Sequence, residues 1–385
     1  MLGVARLDLA EDLVQESILA AAQAWKLGMP RDPEAWLFTV ARNRARDALR
    51  RERVRSRIAE STGVPEIATD EELRDEQEDL LDLMFSCCSP SLSEETQAAT
   101  VLRHVCGFNT REVAQAFLTD VSAMERRLAR AKSSLAAEGR LFEVSRPEDV
   151  RARSAGVLSA LYLMFDAGYH ASMSPEPIRL EICHEAVRLV THFAESRSTS
   201  SPESHALAAL MLLHAARMPA RLDDRGSLVP LEKQDRARWD RGAIARGMEH
   251  LSASAKGAVL SPYHLEAGIA AQHAMAPSYE ATDWSRIVGL YDVLYDLRRN
   301  PVIALGRAVA RAEIVGSGAA IDELLTIESI DRLESYPFYW AALGDLALRL
   351  GDKLRARTWL ERGAETARNA AERDLFLRRL NECGD

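Results

Sequence analysis

Apolar residues recur at intervals of three and four along almost the whole chain, and stretches that alternate apolar with polar are scarce. Leu13, Ile18 and Leu19 with Ala21 and Ala22 outline one amphipathic segment; Trp36, Leu37, Val40, Ala41 and Leu49 outline a second. Further segments follow to the carboxy terminus, and the 14 prolines and 20 glycines fall mostly between them, where helix boundaries belong. The pattern predicts an all-α fold.

Where the period fails, the chain divides. Between Glu60 and Asp82 come ten acids against one base, with Gly63 and Pro65 near the start, the composition of a solvated linker. A second helical block is expected from about Asp79 to Leu141, followed by a short connector at "EVSRPED" (Glu143 to Asp149). One long helical region follows from Val150. Near its end, Trp340, Leu343, Gly344, Ala347, Ala356, Leu360 and Gly363 fit the tetratricopeptide template, large residues filling the gap between two helices and small ones where they touch. Leu305 and Gly306 lie 38 residues before Leu343 and Gly344, with Pro301 just ahead. Two repeats are predicted there, with more diverged helical pairs upstream; such stacks offer surfaces to proteins or peptides.

Composition narrows the class. At 385 residues the chain exceeds one typical domain, and 47% apolar with 28% charged residues is the balance of a globular protein. No apolar run reaches the roughly 18 residues that span a bilayer, and "MLGVARLDLAEDLVQE" carries acids where a signal peptide has its apolar stretch. A cytoplasmic protein with no membrane partner is expected. Five cysteines are an odd, sparse set, unsuited to a disulfide framework.

Charge changes the picture further. The chain has a net charge of -9, yet "EAWLFTVARNRARDALRRERVRSR" (Glu34 to Arg57) puts eight arginines and two acids into the sixteen residues after Ala41. On a helix, Arg42, Arg46, Arg50 and Arg53 share a face, while Trp36, Val40 and Leu49 point elsewhere. A phosphate backbone requires such a face, although a solvated basic helix has the same pattern. A second stretch weighs toward nucleic acid: "NTREVAQAFLTDVSAMERRLARAK" (Asn109 to Lys132). Val113, Ala114 and Phe117, then Val121, Met124 and Leu128, stand where two short helices crossing at a turn need apolar or small residues. The second helix exposes Ser122, Glu125, Arg126, Arg127 and Arg130. This is helix-turn-helix spacing, with amino-terminal side chains placed for base edges and arginines for guanines or phosphates.

"LAEDLVQESILAAAQAW" followed by "PEAWLFTVARNRARDALRR" resembles region 2 of bacterial RNA polymerase sigma factors of the extracytoplasmic-function (ECF) class, in the sigma-70 family, and the helix-turn-helix resembles their region 4. "LMFSCCSPSLSEETQAATVLRHVCGFNTREVAQAFL", "ALYLMFDAGYHAS", "LMLLHAARMPARLDDRGSLVPLEKQDRARWDR" and "NPVIALGRAVARAE" resemble the subgroup with a fused carboxy-terminal helical-repeat domain. The resemblance implies region 2 at 1–59, an acidic linker at 60–78, region 4 at 79–142 and a tetratricopeptide-like domain at 150–385. It implies core RNA polymerase and promoter DNA as partners, with a regulatory protein or peptide at the repeats. By the same resemblance Asp12, Gln15 and Glu16 contact polymerase. Arg42, Asn43, Arg46, Arg50 and Arg51 hold the unpaired strand of the -10 element. Thr110, Arg111, Ser122, Glu125, Arg126, Arg127 and Arg130 meet the -35 duplex. The function implied is promoter-directed initiation, modulated by the carboxy-terminal domain.

Two departures stand out. Relatives carry another helix before the equivalent of "LDLAEDLVQE", so either the start codon lies upstream of Met1 or the first helix of region 2 is absent. At "DDRGSL" relatives tend to have an aspartate-glycine pair followed by a basic residue. No enzyme is expected: there is no phosphate loop, nucleophile elbow or zinc-protease helix, and no cofactor is called for. "EICHE" sets Glu181 and His184 at the spacing of di-iron bundles, but no second pair accompanies it, and His184 is expected to be packed. Cys87, Cys88, His104 and Cys106 lack the spacing of a zinc finger and are read as buried small thiols beside a histidine. Two rival readings remain: a polymerase-independent helix-turn-helix regulator, and a helical-repeat interaction scaffold.

Overall fold

The computed structural model describes residues 7–24, 41, 76–117, 119–138, 147–170, 179–224 and 226–384. Among these residues the chain is all-helical, with seventeen α-helices, three short 3-10 turns and no strand; Leu222 and Leu228 form an isolated antiparallel bridge. It divides into two compact units, Met1–Ala160 and Leu161–Asp385.

In the first unit, α1 (Leu7–Ala24) buries Leu13 and, one turn on, Ser17, whose hydroxyl donates to the Leu13 carbonyl at 2.6 Å. Then come α2 (Glu76–Cys87), α3 (Glu94–His104), α4 (Thr110–Ala116), α5 (Val121–Glu138) and the first part of α6 (Pro147–His170). Residues 76–78, expected in the linker, begin α2 instead. Carboxylates in a first turn are favoured by the helix dipole, so the acids that read as linker also suit a helix start. The same holds at α6, where Pro147 opens a helix with Glu148 and Asp149 in its first turn, inside the expected connector.

Helix α3 is the centre of this unit, burying every residue from Gln97 to Leu102. Ser93 caps it by accepting from the Thr96 amide. Buried Gln97 donates to the carbonyls of Ser89 at 2.7 Å and Leu92 at 3.0 Å, fixing the turn between α2 and α3. The first part of α6 lies against both helices: Arg153 donates to the Phe85 carbonyl at 3.1 Å. A Cβ on Gly156 would stand 2.1 Å from Gln97 Oε1 and 3.0 Å from Cys88 Sγ, so only glycine allows this approach.

Most helices of the second unit pack chiefly on their neighbours in sequence, but the one at Pro202–Ala215 packs chiefly on those at Arg241–Ser254 and Pro262–Met275. The helices of this unit are α7 (Leu180–Glu195), α8 (Pro202–Ala215), the single turn α9 (Met218–Arg221), α10 (Arg241–Ser254), α11 (Pro262–Met275), α12 (Trp284–Leu297), α13 (Pro301–Val315), α14 (Ser317–Leu325), α15 (Pro337–Arg349), α16 (Lys353–Thr366) and α17 (Ala370–Glu382). Proline stands first in α8, α11, α13 and α15, where its missing amide costs nothing. Leu305 and Leu343 share one core with Tyr339 and Ile321. The two glycines of the proposed repeats meet different neighbours: Gly344 lies under Leu360 of α16, whereas Gly306 lies under Tyr291 of the preceding α12. Gly363 in turn receives the ring of Phe376. His184, expected to be packed, is exposed on α7; the buried face of that helix is Cys183, Ala186, Leu189, Val190 and Phe193, and the i, i+3 spacing alone does not say on which side of it a residue falls.

Candidate nucleic-acid interface

Local sequence builds the helix pair α4 and α5. Gly107, with φ of +76°, turns the chain after α3. Asn109 then caps α4 reciprocally with Glu112: the Asn109 amide donates to Glu112 Oε2 at 2.7 Å, and the Glu112 amide to Asn109 Oδ1 at 3.0 Å. Thr119 donates to the Ala114 carbonyl at 2.9 Å, closing the turn, and α5 restarts at Val121. Val113 and Ala114 are buried on α4; Met124, Leu128, Ala131 and Leu135 are buried on α5. Their spacing of three and four residues along α5 fixes which of its faces meets solvent.

That face carries most of the side chains expected to meet DNA. Ser122, Glu125, Arg126 and Arg130 are exposed on α5 and Arg111 on α4, while Thr110 is half-buried. Arg130 donates from Nε to the Arg126 carbonyl at 3.3 Å. Arg127 is different. Its guanidinium reaches back to Glu95 of α3 at 3.3 Å and lies 5.9 Å from the ring centre of Phe117, with the side chain 31% exposed. The structure therefore groups Arg111, Ser122, Glu125, Arg126 and Arg130 toward solvent and sets Arg127 against the body of the unit.

Behind the helix pair lie three thiols and a histidine, with Cys106 and His104 half-buried. Cys87 and Cys88 are buried; burial, with Cys106 nearby, pushes the Cys87 thiol up to about 12, and burial pushes Cys88 well above its usual value. Burial, with Arg103 and Lys132 adding to it, lowers His104 to about 4, so its imidazole is neutral at pH 7. Among the described residues no three His, Cys, Asp or Glu side chains are grouped to hold a metal ion.

Asp12, Gln15 and Glu16 are exposed on α1, within a turn of one another and beside the buried Leu13 and Ser17. Arg42, Asn43, Arg46, Arg50 and Arg51 lie outside the described residues. No helix among those described is long and apolar enough to cross a membrane.

Comparison with known proteins places the chain. Residues 4–55 match Sigma-70 region 2, and residues 153–255 match a family of unknown function (DUF6596). The amino terminus is thus a sigma-70 region 2, the mark of a sigma-70 family factor, and it implies core RNA polymerase and promoter DNA as partners. An uncharacterized protein of Rhizobium meliloti (strain 1021) is 38% identical over 381 residues, which cover 95% of this chain and 88% of that protein. The chain belongs to the same family as that protein. No solved structure matches it.

Proposed function

We propose that the chain is an ECF-type sigma factor that directs core RNA polymerase to promoters with -10 and -35 elements, and that its carboxy-terminal domain modulates initiation. The match of residues 4–55 to Sigma-70 region 2 carries the reading. The pair α4 and α5 supports it, because Arg111, Ser122, Glu125, Arg126 and Arg130 offer donors and acceptors on one solvent-facing surface, as reading a major groove requires. The eight arginines between Arg42 and Arg57 supply the positive charge that an unpaired strand needs. Its concentration in an otherwise acidic chain limits indiscriminate DNA binding by the free protein. The exposed side of α1, with Asp12, Gln15 and Glu16, is the polymerase-binding surface in this scheme.

The fused helical domain is the regulatory part, a tetratricopeptide-like stack whose hairpins offer surface to a protein or peptide. No catalytic or cofactor chemistry is assigned to it, and the protein acts in the cytoplasm, where its polymerase is. Gel mobility shift on a promoter from its own genome tests the assignment. A shift that requires both the chain and core polymerase is expected; a sequence-specific shift by the chain alone points instead to a polymerase-independent regulator.

A further inference from the structure

Within the second unit, side chains from several elements converge around two aromatic rings. The guanidinium of Arg221 lies 3.6 Å from the ring centre of Tyr169, which stands 5.3 Å from His170 and 5.3 Å from His214. Arg217 and Arg236 lie 5.7 Å and 4.6 Å from the ring centre of Trp239, and His273 lies near both of these arginines. Burial is the main cause that lowers both His214 and His273; Arg217 and Arg221 lower His214 further, and Arg217 and Arg236 add to the shift that brings His273 to about 3. Both imidazoles are neutral at pH 7; the charges beside them are the three arginines, while Asp166, 3.4 Å from His170, and Glu280, near Arg236, are acids at the edges of the group.

Part of this is structural. Arg221 donates to the Tyr169 carbonyl at 3.1 Å, at the end of α6, and Arg236 to the carbonyls of His273 and Ala276 at 2.5 Å and 2.8 Å, at the end of α11. Cations suit helix carboxy termini, and these bonds hold each guanidinium fork in place. Arg217 donates to Gln234 Oε1 at 3.3 Å. Yet among the described residues none of the three arginines has a carboxylate partner within ion-pair distance, which is unusual for half-buried guanidinium groups.

Shielded polar atoms without a partner gather in the same place. Nine shielded side-chain nitrogen or oxygen atoms lack a hydrogen-bond partner among the described residues, and five of them are here: His170 Nδ1, His214 Nδ1, Arg236 Nη2, Trp239 Nε1 and His273 Nδ1. Shielded polar atoms are nearly always satisfied, so a local concentration of unsatisfied ones calls for a partner. The arginine and tryptophan nitrogens only donate, so that partner must be rich in acceptors.

We propose that Arg217, Arg221 and Arg236, with Trp239, His214 and His273, form a binding site for a small oxyanion, a phosphoryl or carboxylate group carried by a soluble small molecule. Planar guanidinium forks beside a fixed indole N–H suit the several oxygens of such a group. The site needs neither polymerase nor DNA, so its test is independent of the sigma-factor reading.

Isothermal titration of the full chain with inorganic phosphate and with citrate, against chloride at matched ionic strength, is the direct measurement, paired with thermal melts at the same concentrations. Saturable binding of one equivalent is expected for at least one anion, and the arm that binds more tightly says whether phosphoryl or carboxylate is preferred. Arg217→Gln should weaken it by about tenfold to a hundredfold, the loss of a charge-assisted hydrogen bond. His273→Asn should weaken it too, whereas Arg286→Gln, on the exposed surface of α12, should not. Because Arg236 also holds the end of α11, its variants are scored only where the melt stays cooperative. Absence of saturable binding by both anions, or binding that persists unchanged in both Arg217→Gln and His273→Asn, overturns the proposal and leaves the arginines as helix caps whose neighbours are served by water.

Discussion

Replacing Arg126, Arg127 and Arg130 by alanine, one at a time, separates side chains that the sequence alone groups together. Arg126 and Arg130 are exposed on α5, on the side opposite Met124, Leu128 and Leu135. If either reads a base edge, its loss should cost about 1–3 kcal/mol at one promoter position, roughly five- to 150-fold in affinity, and relax the preference there. If it meets a phosphate, all sequences should weaken alike and the salt slope should fall by about one. Arg127 is predicted to do neither. Its partners are Glu95, itself 71% exposed, and the ring of Phe117, whose centre is 5.9 Å away. A pair that open to water is worth about 1 kcal/mol or less, so Arg127→Ala should lower the melting midpoint slightly and leave selectivity intact. The assay is selection of randomised -35 elements by the polymerase complex of each variant, with a thermal melt of each. Relaxed selectivity in Arg127→Ala together with unchanged selectivity and salt slope in the other two would refute this placement of α5.

Three further outcomes are expected. Gly156→Ala forces a Cβ against Gln97 Oε1 and should cost about 1–3 kcal/mol by denaturant melt; for the same reason a fragment ending at Arg146 should melt lower than one ending at Ala160, and equal midpoints would show that α6 does not brace α3. His104 is held at about 4 in the folded unit against an ordinary value near 6.5. The unfolded chain therefore binds the extra proton first, and the stability this histidine contributes is present above pH 6.5 and lost as pH falls toward 4; His104→Gln should flatten stability against pH in that window. Arg46→Ala combined with Arg50→Ala should impair promoter opening more than closed-complex binding, read by permanganate footprinting, and undiminished reactivity would remove these residues from the strand-holding role.

Much of the fold is legible because its signals are local. The apolar spacing of α5, the Asn109 and Glu112 cap three residues apart, and the prolines that open α8, α11, α13 and α15 all lie within a turn or two of the feature they specify. What the sequence does not show is what crosses from one element to another. Gly156 reads as an indifferent helical glycine until Gln97, 59 residues earlier, is seen beneath it. Arg127 looks identical to Arg126 until Glu95 claims it, and His184 sits one residue from the buried face it was expected to join. The cluster of Arg217, Arg221, Arg236, His214 and His273 comes from four elements, two of them apolar helices, and none of them alone marks a site. Composition misleads at two points: the acids at 76–79, and Glu148 with Asp149, suit a linker and a helix start equally well.

Run-off transcription with purified core RNA polymerase, with and without the full chain, on a promoter from its own genome, tests the assignment most directly. Initiation from a defined start that depends on the chain, and that is lost with the combined substitution of Arg46 and Arg50, is the predicted result. Core polymerase that starts no transcript on any such promoter in the presence of the folded chain, while the chain alone binds the same DNA specifically, would contradict it.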